Sequence, residues 1–139
     1  MLPRMGRMSI AAHRVPSEAR FAVSVRPQYV EDQSNPTRNE YVFAYTVTIV
    51  NAGDVPAQLI ARQWVITDAL GRTEEVRGLG VIGQQPLLKP GERYEYTSWT
   101  RLDTPHGTMQ GVYYCMTEDA HLFEAEIPAF TLARSQSLH

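Results

Sequence analysis

Tyr41-Val-Phe-Ala-Tyr-Thr-Val-Thr-Ile-Val50 decides the fold class, because its apolar and aromatic residues fall at every second position. Tyr41, Phe43, Tyr45, Val47 and Ile49 share one face, and Val42, Ala44, Thr46, Thr48 and Val50 share the other. Most are β-branched or aromatic, the residue types that suit a pleated, half-buried surface, and a period of two is that of a strand. Asn51-Ala-Gly-Asp54 followed by Pro56 supplies the turn chemistry that stops it.

The same period continues in both directions. Phe21, Val23 and Val25 alternate with Ala22, Ser24 and Arg26, and from Gln58 to Thr67 the residues Ile60, Trp64 and Ile66 share a side with Arg62. Asp68-Ala-Leu-Gly71 and Lys89-Pro-Gly91 read as tight turns, with glycine free to take the positive φ each needs. Residues 78–88 and 93–100 read as extended. Between Thr108 and Met116, the residues Met109, Gly111, Tyr113 and Cys115 alternate with Gln110, Val112 and Tyr114; later Phe123, Ala125 and Ile127 oppose Glu124 and Glu126. Pro128 marks an edge or a strand end. No stretch of about ten residues carries a helical period with a cap. Seven to eight short strands spaced by turns predict an all-β, antiparallel β-sandwich. Tyr113 two residues before Cys115, with Trp64 in the third strand, points to a fibronectin type III or immunoglobulin-like version with a tyrosine corner.

Composition limits what such a domain can do. The 139 residues fit one domain, and 13 Lys+Arg against 15 Asp+Glu leave a net charge of −2. That balance argues against general nucleic-acid binding. No apolar run approaches the roughly 20 residues of a membrane helix, and a lone Cys115 excludes an internal disulfide. The basic start Met1 to Met8 lacks the apolar core of a signal peptide, so a cytoplasmic location is expected. Residues 1–15 are expected to form a flexible extension, 16–132 the domain, and 133–139 a flexible tail.

The sharpest local signal is Gly78-Leu-Gly-Val-Ile-Gly83, a G-x-G-x-x-G match. As a dinucleotide fingerprint it fails, because Gln84-Gln-Pro86 and Lys89-Pro-Gly91 leave no room for the helix that would receive a pyrophosphate. As a kinase loop it lacks the downstream lysine and catalytic loop. Two readings remain. Successive amides at Gly78, Gly80 and Gly83 can form a small anion-binding concavity, with Arg72, Arg77, Lys89 and Arg93 near in sequence. Alternatively, the glycines let an irregular edge strand pass close to another backbone.

Other constellations are weaker. The four histidines have no metal-ligand spacing with each other or with Cys115. Asp103, His106, Glu118, Asp119 and His121 could meet at one end of the sandwich and ligate a cation, but as polar residues of loops they read better as solvated. Ser98 and Cys115 lack the setting of a nucleophile, and the carboxylate pairs Glu74-Glu75, Glu118-Asp119 and Glu124/Glu126 read as solvated. No catalytic residue, metal site or cofactor is assigned, and the expectation is a non-enzymatic protein. Trp64, Tyr94, Tyr96, Trp99, Tyr113 and Tyr114 fit a core lining better than an exposed recognition strip.

From about Pro16 to Leu132 the chain resembles the ApaG family. The resemblance is carried by Arg77-Gly-Leu-Gly-Val-Ile-Gly-Gln-Gln-Pro86, Leu88-Lys-Pro-Gly91 with Tyr94-Glu-Tyr-Thr-Ser-Trp99, Thr104-Pro-His-Gly-Thr-Met-Gln-Gly-Val-Tyr-Tyr-Cys-Met116, and Phe123-Glu-Ala-Glu-Ile-Pro-Ala-Phe-Thr-Leu132. It implies a fibronectin type III-like sandwich with no established enzymatic activity. It further implies a link to cobalt and magnesium tolerance, and pyrophosphate or nucleotide binding at the glycine motif, here Gly78, Gly80 and Gly83 with Arg77 and Lys89. Eukaryotic relatives look like interaction modules, which implies as the alternative a protein partner or a homodimer joined through an exposed sheet edge.

Overall fold

The computed structural model describes residues 18–136, so the expected extension over residues 1–15 and the last three residues of the expected tail lie outside the described residues. Eight strands follow one another as β1 (Phe21–Tyr29), β2 (Tyr41–Asn51), β3 (Ala57–Asp68), β4 (Thr73–Leu79), β5 (Leu87–Leu88), β6 (Arg93–Leu102), β7 (His106–Thr117) and β8 (Leu122–Ala133). Short 3-10 turns interrupt the β1–β2 connection, and another follows β8 over Arg134–Gln136. β1, β2 and β6 form one sheet in that order; β4, β3, β7 and β8 form the other, with β5 paired to β3. Every pairing is antiparallel. This is a β-sandwich.

The strand over Tyr41–Asn51 is central in its sheet, and its alternation is realised residue by residue: Tyr41, Phe43, Tyr45, Val47 and Ile49 are buried and their neighbours half-buried. From the other sheet Leu59, Trp64, Met109, Tyr113, Cys115, Ile127 and Leu132 complete the core. Tyr45 meets Trp64 edge-on across the layers with ring centroids 5.4 Å apart. Such aromatic contacts are worth about 0.5–1.5 kcal/mol beyond the area they bury. The buried hydroxyls of Tyr96 and Tyr113 hydrogen-bond to each other across the sandwich. Tyr113 therefore differs from a tyrosine corner, whose hydroxyl would return to nearby backbone. Burial pushes both phenols well above the ordinary tyrosine range, so the pair is neutral at any physiological pH.

Two bulges modify the simple alternation. In β3 the register against β7 shifts between Leu59 and Ala61, leaving Ile60 as the extra residue. Leu59 is buried in place of Ile60, and beyond the bulge the inward parity passes to Arg62, Trp64 and Ile66. In β8 the register shifts between the partners of Met109 and Gly111, so Pro128 and Ala129 stand opposite Gln110. Pro128 thus sits at a bulge on an edge strand, which continues to Ala133.

The two flanks of the sandwich differ. On one, β1 packs against β8, with Phe21 and Phe123 edge-to-face at 5.5 Å. On the other, the edge strands β4 and β6 stand apart, and a groove of about 350 Å³ opens between them. At the end where the glycine segment lies, Asn51 is buried and fully used: its Nδ2 donates to the carbonyls of Val55 and Leu88, each at 2.9 Å, and its Oδ1 accepts from the Gly53 amide at 2.9 Å.

Candidate functional site

β4 brings the glycine segment to the open flank. Gly78 stands in register opposite Arg62, and a Cβ there would fall 2.8–2.9 Å from the guanidinium, so the missing side chain is the seat on which Arg62 rests. Arg62 Nη1 donates to the carbonyl of Leu79 at 2.9 Å and of Gly80 at 2.8 Å. Gly80 has φ +61, and a Cβ would fall 2.3 Å from the Gln84 carbonyl oxygen, so neither conformation nor space admits another residue. Val81 and Gln84 then exchange amide-to-carbonyl bonds at 2.8 and 2.9 Å around Ile82 and Gly83, both at positive φ. Two such residues define a type I′ hairpin turn, which normally takes Asn-Gly or Gly-Gly. Ile82 is β-branched with φ 47, exposed at 57%, and holding an L-residue there costs about 1–2 kcal/mol. Strain of this kind persists only where the surroundings over-determine it.

The hairpin uses most of its own amides. The Gly80 N–H donates to the Ile60 carbonyl at 2.8 Å, and those of Val81 and Gln84 close the turn. Among the described residues, the Ile82 and Gly83 amides at the tip have no protein acceptor. The cations named from the sequence do not converge on them. Arg77 faces outward on β4 beside Glu75 at 3.4 Å. Arg72 is held by Asp68 at 2.7 Å in the β3–β4 turn, at the far end of β4. Lys89 opens the turn that closes on Glu92, where its amide donates to Oε1 of that residue at 2.8 Å, and Arg93 begins β6. The cation that does reach the glycines is Arg62. Its signal in the sequence was an arginine on the same side as Trp64 and Ile66.

A second feature lies on the outer face of the larger sheet. Register places Leu79, Ala61, Tyr114 and Glu124 in one row, and Leu87, Gln58, Met116 and Leu122 in the next. Leu79, Leu87 and Leu122 are exposed at 74%, 54% and 78%. Leu79 and Leu87 lie on the same side of β3, and Leu122 lies at the β8 edge with β3 and β7 between, where the half-buried Ala61 and Met116 and the exposed Tyr114 link them.

The remaining candidates separate. Asp103 and His106 lie at the start of β7, and Glu118, Asp119 and His121 beyond its end. Twelve residues of strand, at about 3.3 Å each, hold the two groups at opposite ends of the sandwich, so they do not meet. There Asp103 lies 3.9 Å from Arg101, and His121 3.4 Å from Asp119. Cys115 is buried, and burial pushes its thiol up to about 12. Trp64, Tyr96 and Tyr113 belong to the core, whereas Trp99 and Tyr114 are exposed. No helix among the described residues is long and apolar enough to cross a membrane.

Comparison with known proteins agrees with this architecture. The ApaG domain profile matches residues 31–117. The chain is 55% identical over 123 residues to the protein ApaG of Ralstonia nicotianae, covering 88% of this chain and 99% of that one. It is 57% identical over 119 residues to ApaG of Bordetella pertussis, covering 86% and 91%. The crystal structure of a Bordetella pertussis protein named ApaA superposes with a TM-score of 0.84 at 54% identity, covering 87% of this chain and 98% of that one.

Proposed function

The chain belongs to the ApaG domain family, and from that premise we propose that it works as a non-enzymatic protein-interaction module. Its docking surface is the apolar outer face of the larger sheet beside the glycine hairpin. The observation that carries the reading is a band over two neighbouring register rows, from Leu79 and Leu87 at one side of the sheet through Tyr114 and Met116 to Leu122 at the other, its three leucines all more than half exposed. Scattered single apolar residues are ordinary on a surface, but a contiguous set marks a contact site. The sheet edges serve this purpose less well: β4 carries Glu74, Glu75 and Arg77, β6 carries Arg93, Glu95 and Arg101, and β1 and β8 carry Pro27 and Pro128, the devices that blunt edge pairing. In this reading a link to cobalt and magnesium tolerance, and any cytoplasmic role, acts through the partner. Among the described residues no three His, Cys, Asp or Glu side chains are grouped to hold an ion. The test is quantitative capture from extracts of a cell that makes the protein, with wild type against a Leu79→Ser/Leu122→Ser variant of equal stability. Proteins held by the first and lost by the second support the reading; the same set on both contradicts it.

A second reading keeps the phosphate site. Its support is the pair of tip amides at Ile82 and Gly83, which pyrophosphate or a nucleotide could accept from, with Gly78 and Gly80 shaping the turn and Arg77 and Lys89 contributing charge from outside it. Amide shifts at Ile82 and Gly83 that saturate with pyrophosphate would establish it, and unmoved amides at about 10 mM, the scale of a weak single-site anion contact, would remove it.

A further inference from the structure

The open flank carries a charge facing the wrong way for a sandwich core. Beyond the Ile60 bulge, Arg62 points between the sheets with Trp64 and Ile66, and it lines the groove between β4 and β6 with Tyr45, Trp64, Ser98 and Thr100. A half-buried cation is costly unless a counter-charge meets it. Among the described residues no carboxylate pairs with it. Among the described residues its Nη1 alone is engaged, by the two hairpin carbonyls, which leaves Nη2 and Nε as a donor fork of the kind that matches carboxylate and phosphate oxygens. At the rim, Arg101 is shared with Glu40 and Asp103 at 3.8 and 3.9 Å, and Glu74 lies on the β4 side. Tyr45 and Ser98 place hydroxyls at the groove that pair with each other, and burial raises the Tyr45 phenol above the ordinary tyrosine range. Trp99 stands in register opposite Ala44, so its indole, 57% exposed, lies on the outer face of the smaller sheet while Ser98 and Thr100 face the groove. The volume of about 350 Å³ is within the range of small-ligand sites.

We propose that this groove binds a small carboxylate or phosphate anion, with the free edge of the Arg62 guanidinium taking its oxygens. The site is separate from the outer apolar face and from the hairpin tip, and stands or falls independently of both.

Acetate and inorganic phosphate are the probes. In the full-length protein, followed by NMR, one or both shift the Arg62 Nε–H and the Trp64 indole N–H resonances, saturating at millimolar concentration. Whichever binds tighter identifies the anion as carboxylate or phosphate. Arg62→Lys weakens the tighter probe about tenfold by losing the bidentate fork. No saturable shift at these groups by either probe up to about 20 mM, a weak limit even for a fragment, overturns the proposal. Equal affinity in wild type and Arg62→Lys, or shifts confined to Ile82 and Gly83, does so as well.

Discussion

The two flanks of this sandwich solve the same problem differently. Where β1 meets β8, the layers close over Phe21 and Phe123, and the backbone irregularity at Pro128 only protects an edge. Where β4 faces β6, the layers stay apart, and the interior ends in an arginine, a glycine seat and a strained isoleucine. The closed flank follows the rules of a core; the open one departs from them at Ile60, Arg62, Gly78, Gly80 and Ile82. Asn39 and Ala120 are left-handed as well, and the buried Tyr29 hydroxyl on β1 has no partner among the described residues, but at the open flank the strained residue adjoins a half-buried arginine and glycines that leave no room for a Cβ, the pattern expected of a functional region.

Substitutions can break that contrast in measurable order. The largest effect belongs to the closed side: Ile127→Ala removes a fully buried side chain on β8 and should cost about 2–5 kcal/mol in urea unfolding, whereas Val76→Ala on the open β4, only half-buried, should cost less than about 1 kcal/mol. Next comes Gly80→Ala, in which a Cβ meets the Gln84 carbonyl at positive φ; a loss of about 2–3 kcal/mol is expected. Gly83→Ala, with the same sign of φ but open space around it, should cost only about 1 kcal/mol. If the two glycines proved equivalent, the close approach assigned to Gly80 would be wrong. Ile82→Gly should raise stability by up to about 1 kcal/mol by relieving the left-handed isoleucine, and the same change should weaken whatever the apolar tip contacts. A loss of stability that is absent at neutral pH and grows only in alkali comes from Cys115. Its thiol is pushed up to about 12 by burial, against an ordinary value of 9.0. The unfolded chain therefore releases that proton first, so the contribution is fully present below pH 9 and is lost as pH rises toward about 12. At pH 8 a disulfide reagent should label the native protein only as fast as it unfolds.

Most of the architecture could be read from residue types alone, because a period of two with β-branched and aromatic residues has one economical explanation. Tyr41 to Val50, Met109 to Cys115 and Phe123 to Ile127 lie with the faces their alternation predicts. The bulges could not be read this way. Alternation across Gln58 to Thr67 puts Ile60 with Trp64, and only pairing with β7 reveals that Leu59 takes its place. The glycine segment was conspicuous as a pattern, but the partner that explains Gly78 is sixteen positions upstream, on a different strand, and no local rule connects them. The outer apolar rows were hidden for a related reason: Leu122 is distant in sequence from Leu79 and Leu87 and joins their rows only through β3 and β7. Asp103 and His121 erred in the opposite sense, since loops flanking one strand must lie at its two ends.

The contrast between the faces can be tested most directly in living cells with a photo-crosslinking residue at Leu79, on the apolar face beside the open flank, and separately at Ala22, exposed on the outer face of β1 at the closed flank. The account predicts a discrete covalent adduct with another protein or a second copy from position 79 and none from position 22. No adduct at position 79, or equal adducts at both, would contradict it.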